Sequence, residues 1–324
     1  MVRKVLLWML AAGAGLAGVA QQTAQKFVVE TQYLLYLPNH YADDTLQRWP
    51  LMVFLHGAGE RGNDVEKLKA NGPPMLAAQG KQFPFIIVSP QARENTTWKP
   101  DQLVTLLDDI KSSYRVDADR VYLTGLSMGG FGTWDLAMKF PERFAAIAPV
   151  CGGGDTTTVR TLRHMPVWCF HGAKDDVVPL WNSENMVNAL RRYNPSVRFT
   201  VYPDANHDSW TATYNNDSLY SWLLAQRRFR YQAVTVDVAA LKEYAGQYLS
   251  PERDTLTVFV QGERILIKSG YEVFELKPAA RDLFFIKEEM PEDIRFVKSR
   301  KGVVDRFIFS GKQRFECIKI IPAQ

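Results

Sequence analysis

Cysteine is scarce in this chain. Cys151, Cys169 and Cys317 are the only three in 324 residues, too few for a disulfide framework. None lies in a CxxC pair or a Cys/His cluster, so no zinc-ligand spacing is visible. Cys151 and Cys169 close apolar runs, where free thiols pack as small hydrophobes. A surplus of one charge is also missing. Lys and Arg number 39 against 35 Asp and Glu, a net charge of +4, with no dense basic run, so no nucleic-acid partner is expected. No G-x-x-x-x-G-K-[ST] loop occurs, which argues against nucleotide binding, and no cofactor is implied. Past residue 20 no apolar run is long enough to cross a bilayer.

Ordinary globular composition is present: 46% hydrophobic, 23% charged and 12% aromatic residues, enough to fill real cores. The first twenty residues read as an address rather than as fold. Arg3 and Lys4 precede an apolar run over 5–19, and Gly18-Val19-Ala20 before Gln21 offers a small-residue cleavage site. A Sec-type signal peptide cleaved near Ala20 is expected, giving a secreted or periplasmic protein with no stable span afterwards. The alternative, an uncleaved anchor, is disfavoured because the run is shorter than the roughly 20 residues a span needs.

Residues 27–37 alternate as a half-buried strand does. Apolar runs of strand length then follow at 51–55, 85–88, 121–124, 144–150, 167–170 and 197–202, separated by helical spacing at 103–114, 128–140, 182–193 and 219–228. That alternation predicts an α/β domain over 26–230, a doubly wound, mostly parallel sheet with helices on both faces. Between 231 and 239 the character changes. Short β-branched and aromatic runs at 255–260, 264–268, 273–276, 283–286, 294–297, 303–309 and 315–320 are divided by Gly-containing turns. They predict a small all-β domain over 236–324, a meander or a barrel closed to hide its edges.

The sharpest chemical signal is Gly125-Leu126-Ser127-Met128-Gly129, followed by Gly130. It sits directly after one predicted strand and before a predicted helix, the setting of the α/β-hydrolase nucleophile elbow. A serine hydroxyl needs a base to take its proton. Five histidines are available, and the order nucleophile, acid, histidine along the chain discards His40 and His56. The loop after the strand ending at Phe170 supplies Asp175 and Asp176 as acids, and His207, in a polar turn after the next strand, is the one histidine beyond them. His171, ending a buried strand, reads as a local structural imidazole. Asp204 and Asp208 read as turn-formers or a helix cap. For the developing oxyanion the Gly-rich loop at 55–62 is expected to donate the N–H of Ala58, with Gly59 as nearest alternative, beside the N–H of Met128. Glu60 and Arg61 are expected to pair and stiffen that loop. Trp98 and Trp181, in loops near the site, are candidates for substrate contact, whereas Trp134 reads as core.

These motifs, HGAGERG at 56–62, GLSMGG at 125–130, HGAKDDVVP at 171–179 and NHDSW at 206–210, resemble the carboxylesterase, dienelactone hydrolase and prolyl oligopeptidase-like branch of the α/β-hydrolases, including exported feruloyl and acetylxylan esterase-like enzymes. The resemblance implies Asp175 rather than Asp176 as the acid, through the HGxxDxxVP pattern of carboxylesterases. It implies a serine hydrolase acting on a carboxylic ester, carried by a small molecule or by a polysaccharide. A peptidase of the prolyl oligopeptidase-like type is the first rival, and a non-catalytic glycan- or ligand-binding protein the second. The C-terminal part is similar to the lipocalin-like β domain appended to some bacterial serine hydrolases, through Tyr244-Ala245-Gly246-Gln247-Tyr248 and the strand rhythm after it.

Overall fold

Strand β2 (Trp49–Leu55) shows why the first half folds as a sandwiched sheet. Its residues Leu51, Val53 and Leu55 face one hydrophobic cluster, and Met52 and Phe54 face another, as alternation along a strand requires. Every residue from Pro50 to Leu55 is buried, which is the signature of a strand covered on both faces. The structure, a computed structural model, describes residues 30–320. The expected signal at 1–20, and the start of the strand expected over 27–37, lie outside the described residues.

Seven strands form the first sheet: β1 (Tyr33–Tyr36), β2, β3 (Ile86–Pro90), β4 (Val116–Leu126), β5 (Ala146–Val150), β6 (Trp168–Gly172) and β7 (Arg198–Tyr202). Their spatial order is β1-β3-β2-β4-β5-β6-β7. All neighbours run parallel except β1, which pairs antiparallel with β3. From β2 the chain crosses to β3 on one side and then to β4 on the other, so the strand order reverses at β2. Ligands in such sheets bind outside the carboxyl ends of strands at that reversal.

Helices α1 (Gly72–Ala78), α2 (Pro100–Ser113), α3 (Met128–Lys139), α4 (Trp181–Arg191), α5 (Trp210–Tyr214) and α6 (Asp217–Leu224) connect the strands. Of these, α1 and α5 are too short to show periodicity in sequence. The segment predicted over 219–228 instead begins at Asp217, where Asn216 accepts a cap bond from the Ser218 N–H, and it ends at Leu224.

After a short helix α7 (Val238–Lys242), eight antiparallel strands close a barrel: β8 (Gly246–Leu249), β9 (Thr255–Gln261), β10 (Arg264–Ser269), β11 (Glu272–Ala280), β12 (Leu283–Phe285), β13 (Asp293–Lys298), β14 (Val304–Ser310) and β15 (Arg314–Lys319). Sequence reading finds seven of them. The eighth, β8, is four residues long, yet it is the stave that joins β15 to β9 and removes the free edges. Eight strands enclose a space that side chains can fill, and here aromatic rings fill it. Tyr244, Tyr248, Phe284, Phe296 and Phe307 are buried with ring centroids 4.6 to 6.0 Å apart.

Sheet and barrel belong to one compact unit, and the seam between them is polar. The Arg163 guanidinium donates to Asp293 at 2.7 Å and to the Ser310 carbonyl at 3.0 Å. The Tyr231 hydroxyl donates to Asp293 at 2.9 Å, and its ring stacks on Phe285 at 5.0 Å. No helix among the described residues is long and apolar enough to cross a membrane.

Candidate active site

Four loops at the carboxyl edge of the sheet converge. The loops after β2, β4, β6 and β7 bring the Gly-rich segment, Ser127, Asp175 and His207 to one place. Ser127 has φ +51° and ψ −117°, a conformation costing about 1–3 kcal/mol in a non-glycine residue, and one that lifts its hydroxyl off the strand at the head of α3. Gly129 makes the turn feasible. A Cβ there would lie 1.9 Å from the Leu55 carbonyl oxygen, so only glycine lets α3 start against β2. The Ser127 N–H donates to the Val150 carbonyl at 3.0 Å and lies 3.3 Å from the Cys151 sulfur.

The Ser127 hydroxyl is 3.0 Å from His207 Nε2, and His207 Nδ1 is 2.8 Å from Asp175 Oδ2. Asp175 is buried, and its other oxygen accepts the N–H groups of Val177 at 3.0 Å and Val178 at 2.8 Å. A carboxylate so engaged stays put and holds the imidazole in the Nδ1–H tautomer, leaving Nε2 to accept. The two loops that carry acid and histidine lock together. Lys174 N–H donates to the Ala205 carbonyl at 2.9 Å, and a Cβ on Gly172 would lie 2.2 Å from the Asn206 carbonyl oxygen. The neighbouring Asp176 is exposed. Asp204 faces Lys174, and Asp208 accepts from the N–H and hydroxyl of Thr211 at the start of α5.

The Gly-rich loop is aimed by His56. Its Nε2 accepts the Ala92 N–H at 3.0 Å, so the proton sits on Nδ1, which donates to the Gly57 carbonyl at 2.5 Å. Burial, the main cause, lowers the pKa of this imidazole and keeps it neutral. In a planar trans peptide the N–H points opposite to the C=O, so holding the Gly57 carbonyl also sets the direction of the Ala58 N–H. At the head of α3 the Met128 N–H lacks an intrahelical acceptor, as at any helix start.

Two expectations change here. Glu60 and Arg61 do not pair: Glu60 turns inward to accept from Asn71 Nδ2 at 2.6 Å, while Arg61 reaches over Met128, its Nη2 2.9 Å from the sulfur. Trp98 is buried at 8% exposure; its indole N–H donates to the His56 carbonyl at 3.3 Å, and its ring packs against Gly132. It braces the Gly-rich loop from behind rather than facing a ligand. The segment 62–83 acts as a strut. Asn71 links Glu60 to the Trp210 indole N–H at 3.0 Å, and the Trp210 ring stands edge-on to His207 at 5.1 Å. Trp181 is 56% exposed at the start of α4, and Trp134 is buried, as core.

Tertiary structure also makes a cluster that sequence spacing hides. The potential ligand atoms of Cys151, Asp175 and His207 lie within 4.8 Å of one another. Two of these groups are already bonded to each other, and burial pushes the Cys151 thiol up to about 12, so it is protonated and a poor metal ligand.

Residues 74–232 match the dienelactone hydrolase family. Among curated relatives, a bifunctional acetylxylan esterase/xylanase of Neocallimastix patriciarum is 27% identical over 195 residues, covering 58% of this chain and 27% of its own length. A poly(3-hydroxyalkanoate) depolymerase of Paucimonas lemoignei is 31% identical over 121 residues, covering 32% and 28%. The chain thus spans little more than a quarter of either relative. The solved structure of a thermostable esterase superposes with a TM-score of 0.53 at 34% identity, over 62% of this chain and 60% of that one. Strand order, the turn at Ser127 and the matched stretch agree: the fold is that of an α/β-hydrolase, and just under half of the chain matches the dienelactone hydrolase family.

Proposed function

We propose that this protein is an exported serine esterase that cleaves carboxylic esters through an acyl-enzyme. The observation that carries the reading is the unbroken line from the Ser127 hydroxyl through His207 to Asp175, built on a turn with a left-handed, strained serine. Ser127 Oγ bonds to the ester carbonyl carbon as His207 Nε2 takes its proton. The oxygen that becomes negative accepts from the Met128 and Ala58 N–H groups. His207 returns the proton to the departing alkoxide, and a water deprotonated by His207 then releases the acid. Throughout, Asp175 stays ionised against Nδ1–H.

Carbohydrate-linked acyl esters are the favoured substrates. The named relative is an acetylxylan esterase/xylanase, the Ser127 and His207 end of the line is partly exposed, and Trp181 offers an exposed flat face of the kind that stacks on sugar rings. Incubation with an acetate ester and with a fluorophosphonate tests the reading. Turnover of the first and labelling by the second at Ser127, both lost in Ser127→Ala, are expected; an unlabelled, inactive wild-type protein would sink it. A peptidase would instead cleave amide substrates in preference to esters.

A further inference from the structure

We infer that His171 is a second imidazole on the acid Asp175, protonated on both ring nitrogens, and that it limits how strongly Asp175 attracts the proton of His207. The inference rests on the proposed roles of Ser127, Asp175 and His207, but its structural basis is a separate hydrogen count.

His171 lies at the end of β6 with its side chain fully buried. Its Nε2 is 2.8 Å from the Val178 carbonyl and 3.1 Å from Asp175 Oδ2. A carbonyl and a carboxylate only accept, so Nε2 carries a hydrogen. Its Nδ1 is 2.7 Å from Ser183 Oγ, and that same oxygen is 2.8 Å from the Gly152 carbonyl. Ser183 has one hydrogen for these two contacts. If His171 were neutral, the hydroxyl would turn toward Nδ1, leaving two oxygen acceptors 2.8 Å apart in the core with no hydrogen between them. With a hydrogen on Nδ1 these contacts are made: Nδ1–H to Ser183, Ser183 O–H to Gly152, and Nε2–H to Val178, with Asp175 Oδ2 at ion-pair distance, 3.1 Å from Nε2. A buried charge is tolerated when it is paired and fully hydrogen-bonded, and this site meets both conditions.

The ionisable groups around it are few. Asp175 and Cys169 come from its own loop and strand, Cys151 from the turn after β5, and His207 from the turn after β7. Helix α4 contributes only the uncharged Ser183. Burial pushes both thiols up to about 12, so they stay uncharged, and Asp175 is the one counter-charge. Two imidazoles therefore share one carboxylate oxygen, through His171 Nε2 at 3.1 Å and His207 Nδ1 at 2.8 Å. A cation already on Asp175 opposes a second one on His207. It thereby favours the neutral, proton-accepting form of the general base.

The test is made on the full chain by ¹⁵N resonance of histidine-labelled protein at neutral pH, with His171 assigned through His171→Gln. Attached hydrogens on both of its nitrogens are expected. In Ser183→Ala the Nδ1 hydrogen loses its acceptor and should disappear. In both variants the acid limb of kcat/KM for an acetate ester should move up by about one pH unit, with KM unchanged; a purely structural residue would lower kcat without moving the limb. An unprotonated Nδ1 in the wild type, or an unmoved limb in both variants, overturns the inference. If the wild type neither turns over esters nor takes a fluorophosphonate, the esterase reading fails while the nitrogen spectrum still decides the state of His171. Turnover that depends on Ser127 together with a bare Nδ1 sinks the inference alone.

Discussion

At the scale of single residues, the site is a set of atoms whose freedom has been removed. Asp175 shows this most clearly, with both carboxylate oxygens engaged by His207, His171 and two backbone N–H groups. Asp175→Asn keeps the volume but permits the wrong His207 tautomer. It is expected to lower kcat on an acetate ester about 10⁴-fold, by analogy with the effect of that substitution in other serine hydrolases, with KM little changed in steady-state assays. Gly129→Ala acts through shape instead. The added carbon would sit 1.9 Å from the Leu55 carbonyl, so the elbow must open; a thermal melt should show a loss of at least about 2 kcal/mol, and phosphonate labelling should fail. Trp181 faces solvent, so Trp181→Ala should leave the melting temperature within about 1 °C, since exposed sites change stability by less than about 0.5 kcal/mol. It should raise KM on acetylated polysaccharide more than on a small acetate ester.

At the scale of elements, loops far apart in sequence hold one another. Asn71, just before α1, accepts from Trp210 and donates to Glu60, so one amide ties the histidine turn to the Gly-rich loop. Asn71→Ala strands a buried carboxylate oxygen and an indole N–H, a penalty of about 1–3 kcal/mol for each. Part of that should appear as a fall in kcat/KM of about tenfold, since loosened catalytic geometry costs rate, and restoration by Asn71→Gln would trace the effect to the hydrogen bonds. Much of this scale is legible in sequence. The turns that carry Ser127, Asp175 and His207 are readable because each joins a predicted strand to local turn chemistry. The strut is not readable, because 62–83 carries no periodicity and Asn71 acts only across long sequence separation. The burial of Trp98 is not readable for the same reason: a loop position tells nothing of which way a ring points, and here the absence of a Cβ at Gly132 admits it to the core.

At the scale of the whole molecule, the seam between sheet and barrel carries a titratable group. His164 stacks on Phe229 at 4.0 Å, and its Nε2 lies 3.1 Å from the Tyr231 hydroxyl. Burial, then the nearby Arg163, lowers its pKa from 6.5 to about 4. The unfolded chain therefore takes up a proton near pH 6.5 that the folded chain refuses until about pH 4. This contribution to stability is fully present above pH 6.5 and is lost as the pH falls toward 4, amounting to about 3 kcal/mol over the window. Denaturant titrations of the wild type and of His164→Gln between pH 7 and 4 should show the wild type losing stability more steeply. Equal slopes would assign the acid sensitivity elsewhere.

Sequence alone determined the class of fold, the sharp turn that carries Ser127, and the change from α/β to all-β character near residue 235, because periodicity, glycine at points of close approach and loop position are local properties written in neighbouring residues. Only the tertiary structure decided that His171 touches Asp175, that Asn71 and Trp210 brace the histidine turn, that Glu60 and Arg61 part company, and that β8 closes the barrel over an aromatic interior. Those facts depend on distances between residues tens of positions apart, which no local pattern encodes.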